Sequence, residues 1–314
     1  MRWGGDSRQY RHCTRFGLRH NRKTMSSLAA GAFAAKQIST LLERLVYEMH
    51  RCAKNPDPEA VHDLRVSIRR FNQGAKVFRG FLPARAIRKI HGKLKSVMGL
   101  AAIVRDRDIA LDLIGRAGLL GTLESSSRIK GERESAAHAL VEELRRYTRH
   151  VHLARWRSLV KPSSPPEDKG AAASFAARRL PRRSKKFFTT CRKAVESKTG
   201  NEHLHQMRLM GKRFRYTLEL FLPIYGPGLE EKIESMRKLQ SLLGDVNDCR
   251  STRALLETDP ETPGLKEFQA YLARREARRI REFRAFWAQF DAEGKFARWQ
   301  NYLERYAGRL KNPA

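Results

Sequence analysis

Two segments of this sequence, 143 residues apart, each place a histidine and several cations at helical spacing. Residues 61–78 read VHDLRVSIRRFNQGAKVF, and residues 204–221 read LHQMRLMGKRFRYTLELF. Aligned without gaps they pair His62 with His205, Arg65 with Arg208, Arg69 with Lys212, Arg70 with Arg213, Phe71 with Phe214 and Phe78 with Phe221. Guanidinium groups bind phosphate oxygens through paired hydrogen bonds, and lysine adds a compact charge. The repeated pattern therefore predicts recognition of an anion.

A helical projection separates each segment into a cationic stripe and an apolar stripe. At about 100° per residue, Arg65, Arg69 and Lys76 lie within about 60° of His62, and the second copy repeats this arrangement. Arg70 and Arg213 lie at the flank. The opposite stripe comprises Leu64, Ile68, Phe71, Ala75 and Phe78 in the first copy, and Met207, Gly211, Phe214, Leu218 and Phe221 in the second. The apolar stripes predict a core, and the cationic stripes predict a binding surface.

The alternative is that the cations form an ordinary solvated helix face. Such faces usually carry acids at i,i+4 spacing. Residues 61–95 contain ten Lys and Arg but only one acid, Asp63. The repetition of the stripe also argues against simple surface decoration. We therefore predict two rows of unpaired cations, each led by a histidine that the surrounding positive charge keeps neutral. A neutral histidine could donate an N–H to a phosphate oxygen.

A second helix follows each cationic stripe and ends in carboxylates. Residues 94–108 (LKSVMGLAAIVRDRD) match residues 238–248 (KLQSLLGDVND) at an offset of 142. The apolar residues of these helices predict core positions. Asp106, Asp108 and Asp248 are candidates to orient arginines of the neighbouring stripe.

Composition narrows the partner to a polyanion. The 314 residues include 64 Lys and Arg against 33 Asp and Glu, a formal charge of +31. Such a surplus fits nucleic acid, an anionic membrane or a phosphate polymer. No apolar run approaches the roughly 18 residues of a membrane span. The four cysteines are widely spaced, which disfavours a disulfide framework or thiolate zinc site and favours a cytoplasmic location.

Helical periodicity and chain breakers predict an all-α fold of two similar bundles, related by a pseudo-twofold around a basic central cavity. Helices are expected at 27–53, 58–82, 84–116, 121–160, 171–198, 201–222, 228–257, 264–291 and 293–309. We expect residues 1–26 to form a basic, disordered arm, or to be an upstream extension before a start at Met25. The first half spans 27–160, a Pro/Ser linker spans 161–170, and the second half spans 171–311.

The paired motifs resemble the CHAD family, the conserved histidine α-helical domain, over roughly residues 27–310. Residues that carry the resemblance are His62, Arg65, Arg69, Arg70 and Arg105-Asp106-x-Asp108, and then His205, Arg208, Lys212, Arg213, Arg215, Tyr216 and the segment 239–248. The resemblance implies binding of inorganic polyphosphate, often at polyphosphate granules. It assigns ligand binding to the histidine and the three cations of each copy, and the candidate site adds Lys76 and Arg215. The first copy departs from the family pattern at two places. Ala102 stands where the family usually has the glycine seen here as Gly244, and Asn72-Gln73 replaces the Arg215-Tyr216 type of ending.

Two other functions are weighed against polyphosphate binding. A hydrolase or transferase of phosphate chains would need metal-binding carboxylates or an activated nucleophile. The sequence has no GxxxxGK[ST] loop, and His203-x-His205 and His150-x-His152 suit a metal poorly on a helix. We therefore predict no enzyme activity, no cofactor and no metal. RNA or DNA would bind such a basic chain non-specifically at low salt. Specific readout would need exposed aromatics, whereas the matched phenylalanines lie on the core stripe.

Further cations lie outside the repeated stripe. Residues 178–193 carry eight cations and no acid, and residues 264–284 carry seven cations against three acids. Which of these reach a ligand is left open by the sequence.

Overall fold

The computed structural model describes residues 22–148, 153–160, 170–196 and 201–306. Within these residues the fold is all-α, and the predicted fold class is confirmed. The helices are α1 (Arg22–Ser27), α2 (Ala30–Lys54), α3 (Pro58–Val77), α4 (Ala84–Arg116), α5 (Ser125–Thr148), α6 (Leu153–Val160), α7 (Ala172–Glu196), α8 (Asn201–Tyr225), α9 (Pro227–Leu255), α10 (Pro263–Phe290) and α11 (Lys295–Glu304). A 3-10 turn, Arg79–Phe81, joins α3 to α4.

Local chain chemistry fixes the ends of the helices that matter most for the site. The Asp57 carboxylate caps α3 by accepting from the backbone N–H groups of Glu59 and Ala60 at 2.9 and 2.8 Å. Proline occupies the first turn of α3, α9 and α10, where no backbone donor is needed. Gly226 separates α8 from α9 with a φ of 72°, a value that disfavours other residues.

Helix boundaries differ from the sequence expectation mainly between residues 117 and 160. The expected helix at 121–160 begins only at Ser125, because Gly118 adopts a φ of 78° and the chain turns through residues 117–124. Its remainder is α5 and α6, and residues 149–152 lie outside the described part. Of the arm expected at residues 1–26, residues 22–26 belong to α1, and residues 1–21 lie outside the described part of the chain. The linker lies almost entirely outside the described residues, and the division into two halves stays a prediction.

Equivalent elements of the two copies meet one another. Helix α3 contacts α8, α4 contacts α9, and α2 contacts α7. Before α2 and α7, Ala29 and Ala171 form an antiparallel bridge. It is closed by reciprocal backbone bonds of 3.0 and 2.8 Å, from Ala30 N–H to the Gly170 carbonyl and from Ala172 N–H to the Leu28 carbonyl. The predicted pseudo-twofold requires such self-pairing, and the rotation itself stays a prediction.

Four phenylalanines extend this reciprocal pattern into the core. Phe33 of α2 stacks on Phe221 of α8 at 5.9 Å, and Phe175 of α7 stacks on Phe78 at 6.0 Å. Phe78 and Phe221, matched in the sequence repeat, also meet edge to face at 5.9 Å. These buried rings hold the apolar sides of α3 and α8 against each other and against α2 and α7. The cationic stripes must then face away from this cluster.

We predict that Phe78 and Phe221 are energetically coupled. Each Phe→Ala variant should lower the free energy of unfolding by about 3–5 kcal/mol, because it opens a cavity in close-packed core. The double variant should be non-additive by about 0.5–3 kcal/mol in urea unfolding. Phe268→Ala is the control, since Phe268 is fully buried in a separate core cluster. It should add to Phe78→Ala without coupling, and equal additivity for both pairs would contradict the shared core.

Candidate functional site

A cavity of about 280 Å³ lies between α3, α4, α8 and α9, and its wall is strongly cationic. Among the described residues its lining includes eight cations against two carboxylates, Asp106 and Asp248. The cations are Arg65, Arg69, Arg70, Arg105, Arg208, Lys212, Arg215 and Arg237. Their clustering follows from the helix period, because the stripes of α3 and α8 point away from buried apolar faces and toward each other.

Arg65 and Arg208, at the centre of the cavity, each have a buried nitrogen without a hydrogen-bond acceptor among the described residues. Burial, together with the charge of Arg69, lowers the pKa of Arg65 to about 10. Burial also lowers the pKa of Arg208. Within the described residues, Arg65 Nη1 and Arg208 Nε are buried and have no hydrogen-bond acceptor. Buried charged donors without acceptors are costly, so this pair favours an anionic ligand between α3 and α8.

Two further groups of the stripes have shifted protonation. Burial, and then the charges of Arg105 and Arg69, lower the pKa of His62 to about 4, which favours its neutral form at neutral pH, and the neutrality of the two histidines stays a prediction. Burial and then Arg208 and Arg69 lower the pKa of Lys212 to about 7. His62 can therefore act as a neutral donor, whereas Lys212 changes charge near neutrality.

The carboxylates of the lining act on the stripes through charge. Burial raises the pKa of Asp248, although Arg208 opposes the shift. Asp106 is close enough for its charge to favour the protonated forms of Arg65 and Arg208. Within the described part, neither carboxylate hydrogen-bonds to an arginine of a stripe. The predicted orienting role of Asp106 and Asp248 stays a prediction.

Asp108 lines a different cavity from Asp106 and Asp248. This corrects the expectation that all three aspartates orient arginines of the cationic stripes. Its Oδ1 accepts from Arg133 Nε at 3.0 Å, and Arg133 also donates to the Pro56 carbonyl at 2.6 Å. Asp108 lines an adjoining cavity of about 940 Å³ and orients α5 relative to the start of α3. Asp106 and Asp108 are two residues apart, so a helix turns their side chains about 200° away from each other.

Arg70 and Arg215 are not unpaired, which corrects the expectation of fully unpaired rows. Arg70 Nε donates to Glu219 Oε2 at 3.0 Å, and Arg215 Nη1 donates to Glu219 Oε1 at 3.1 Å. Burial opposes ionisation of Glu219, but the two guanidinium groups hold its pKa below the usual value. Counting acids along α3 near Arg70 could not reveal this carboxylate, because Glu219 lies on α8.

Tyr216 completes this cluster and holds Arg69. Its hydroxyl accepts from Arg69 Nε at 3.3 Å, and Arg70 and Arg215 lie over its ring at 5.6 and 4.9 Å. Burial would raise the pKa of Tyr216, but the charges of Arg69 and Arg215 outweigh it and lower the pKa. The ring therefore packs between cations and is not an exposed stacking platform.

Three predicted site residues lie outside the cavity lining. Lys76 and Arg213 are exposed; Lys76 lies about 10 Å beyond Arg69 along the helix, and Arg213 projects from the flank. His205 is also exposed, and its Nδ1 lies 3.3 Å from Asn247 Oδ1, which accepts the bond. His62 is thus the histidine that lines the cavity, and the two copies are unequal at this position.

The structure adds cavity residues that the sequence did not assign. Arg105 precedes Asp106 on α4, and Arg237 lies on α9, where Glu234 accepts from it at 2.9 Å. Gln240, Ser241 and Asn247 contribute uncharged polar groups from α9. Arg105 belongs to the Arg105-Asp106-x-Asp108 motif, and Gln240 and Asn247 belong to the segment 239–248, so the motifs that carry the resemblance offered a signal for these residues but not for Arg237.

The described residues thus form an all-helical protein whose cavity is lined by cations. A family model described as the CHAD domain matches residues 36–257, which is more than half of the chain. The chain belongs to the CHAD domain family, and the resemblance seen in the sequence is confirmed.

Solved structures share the fold. The crystal structure of the CHAD domain from the plant Ricinus communis is 22% identical, with a TM-score of 0.70 over 85% of this chain and 93% of the other. PptA from Streptomyces chartreusis is 16% identical, with a TM-score of 0.60 over 83% of this chain and 99% of the other. In the comparison with curated proteins, no sequence matches.

Two general features of the described residues bear on the partner. No described helix is both long and apolar enough to cross a membrane. The described residues also contain no group of three or more histidine, cysteine, aspartate or glutamate side chains arranged for a metal ion.

Anion binding in the cavity should depend on pH through Lys212. A bound phosphate favours the charged amine, so its pKa rises from about 7 and binding takes up a proton. We expect the affinity for tripolyphosphate to fall by about tenfold between pH 6.5 and 8.5, beyond any titration of the ligand itself.

Lys212→Arg is the matched variant for this measurement, because arginine stays charged throughout the range. The ligand's own protonation contributes equally to both proteins, so the difference between their calorimetric pH profiles isolates Lys212. Parallel profiles for wild type and Lys212→Arg would show that Lys212 does not titrate with binding.

Proposed function

We propose that this protein binds inorganic polyphosphate in the cavity between α3 and α8. The observation that carries the proposal is the pair of buried, unsatisfied guanidinium nitrogens, Arg65 Nη1 and Arg208 Nε, within a lining rich in cations. A chain of phosphates offers oxygen acceptors at short intervals and carries the charge that this lining lacks. Family membership supports the same ligand, because the CHAD resemblance implies polyphosphate.

Each side of the cavity has a distinct role in this proposal. Arg65 and Arg69 of α3 and Arg208 and Lys212 of α8 contact phosphate oxygens from opposite walls. Neutral His62 donates one further hydrogen bond without adding to the repulsion among the cations. Glu219 keeps Arg70 and Arg215 in place, so these two arginines shape the rim while most of their charge is compensated.

Nucleic acid is the competing ligand, and the stripe geometry favours polyphosphate over it. Phe71 and Phe214 are buried in the core, and Tyr216 is buried beneath guanidinium groups. Among the residues that the structure describes, the cavity lining therefore has no exposed aromatic on which a base could stack, and such stacking is the usual source of affinity for single strands. A bare phosphate chain needs no such platform. The proposed role is binding in the cytoplasm, at polyphosphate granules, without turnover.

We expect Arg65→Ala combined with Arg208→Ala to weaken polyphosphate binding far more than RNA binding. Each arginine contributes charge-assisted hydrogen bonds of about 1.5–3 kcal/mol in a buried setting, so polyphosphate affinity should fall at least about 100-fold. RNA that binds the protein surface non-specifically should lose only the small part of its affinity that comes from the two removed charges. The measurement is a competition titration with both polymers at fixed ionic strength.

Arg274→Ala combined with Arg281→Ala serves as the charge-matched control, because both arginines are exposed on α10. This control should lower RNA and polyphosphate affinity to the same small extent. If the cavity variant loses equal affinity for the two polymers, the cavity is not a specific polyphosphate site.

A further inference from the structure

A second cationic surface lies on α7, outside the cavity. Residues 178–193 carry eight cations and no acid. Arg182, Lys185 and Lys186 are exposed, and Arg179 and Arg183 are half-buried beside them. The apolar residues of the segment, including Phe187 and Phe188, are buried in the core. The helix thus presents one purely cationic face.

Among the described residues, a carboxylate pairs with a cation of this segment at its far end. Arg192 forms a bidentate pair with Asp291, with both bonds at 2.7 Å. Within the described part of the chain, no carboxylate pairs with Arg179, Arg182, Arg183, Lys185 or Lys186. Solvated surface cations normally alternate with acids, so an uncompensated cluster of this density favours an anionic partner.

The end of α3 connects this face to the cavity. Phe81 of the 3-10 turn meets Phe175 of α7 edge to face at 5.3 Å, which places the turn that carries Arg79 beside α7. The Arg179 guanidinium lies 4.5 Å from the centre of the Phe175 ring, which fixes it at this junction. Exposed Lys76 lies between Arg69 and Arg79 in the chain. Along the chain, cations thus follow one another from Arg69 in the cavity wall, through Lys76, to Arg79 at the junction with α7.

We propose that this α7 surface, comprising Arg79, Arg179, Arg182, Arg183, Lys185 and Lys186, binds the part of a long polyphosphate chain that extends beyond the cavity. The proposal rests on the proposed function of the cavity. A volume of about 280 Å³ encloses only a short run of phosphates, so a longer chain must leave it. A second surface on the exit path raises affinity by effective concentration, without any change in the cavity.

The chemistry of the α7 surface fits a bare phosphate chain. Its exposed groups are lysine and arginine side chains, and its aromatic rings face the core, so it offers point charges without stacking surfaces for bases. Its cations follow one helix face at spacings of three and four residues, which suits a flexible chain of closely spaced charges. Affinity should therefore increase with the length of the polyphosphate.

The test compares tripolyphosphate with long-chain polyphosphate on wild type and on Arg182→Gln/Lys186→Gln. The variant should lose about tenfold in affinity for the long chain, with a salt slope shallower by about 2, because two phosphate contacts are removed. Its affinity for tripolyphosphate should stay within about twofold, since that ligand fits inside the cavity. Both residues are exposed, and thermal unfolding checks that the fold is kept.

Arg274→Gln/Arg281→Gln on α10 removes the same charge elsewhere and should leave the long-chain affinity within about twofold. Equal long-chain losses in the two variants would reduce the α7 effect to net charge and overturn the proposal. A loss of RNA binding with unchanged long-chain polyphosphate binding would also overturn it, because the surface would then serve nucleic acid. Failure of tripolyphosphate to bind wild type would instead refute the cavity proposal.

Discussion

The central constraint on this fold is that it holds eight cations around one cavity, where the described lining supplies two carboxylates to balance them. Arg65, Arg69, Arg208 and Lys212 face one another between α3 and α8, and the pKa of three of them falls with burial and mutual repulsion. Such an arrangement destabilises the ligand-free fold. It persists because the opposite faces of the same helices are buried in core.

That core explains how the repulsion is tolerated. The rings of Phe33, Phe78, Phe175 and Phe221 form reciprocal contacts between the two copies, so each cationic stripe is held in place by the apolar stripe behind it. Glu219 offsets two flanking arginines at once, whereas the central cations, among the described residues, are offset in part by the nearby charges of Asp106 and Asp248. The fold thus confines its unfavourable charge to one place, where a polyanion would relieve it.

Helical period and repetition were enough to predict the all-α fold and the stripe residues that line the cavity, because both depend on local spacing. Contacts between distant segments were not accessible in this way. The pairing of Arg70 with Glu219 comes from another helix, Asp108 turns toward Arg133, and His205 is exposed beside Asn247. The helical projection also could not give the length of the cavity, which ends before the exposed Lys76.

The most direct test is thermal unfolding of wild type and Arg65→Met/Arg208→Met, each with and without tripolyphosphate. Methionine keeps much of the side-chain volume and removes two guanidinium groups, each of which buries one nitrogen without an acceptor among the described residues. We predict that the variant unfolds at a higher temperature than wild type without ligand. Its unfolding temperature should rise little when tripolyphosphate is added, whereas that of wild type should rise clearly. A variant that is less stable without ligand, yet shows the same gain with tripolyphosphate, would contradict it.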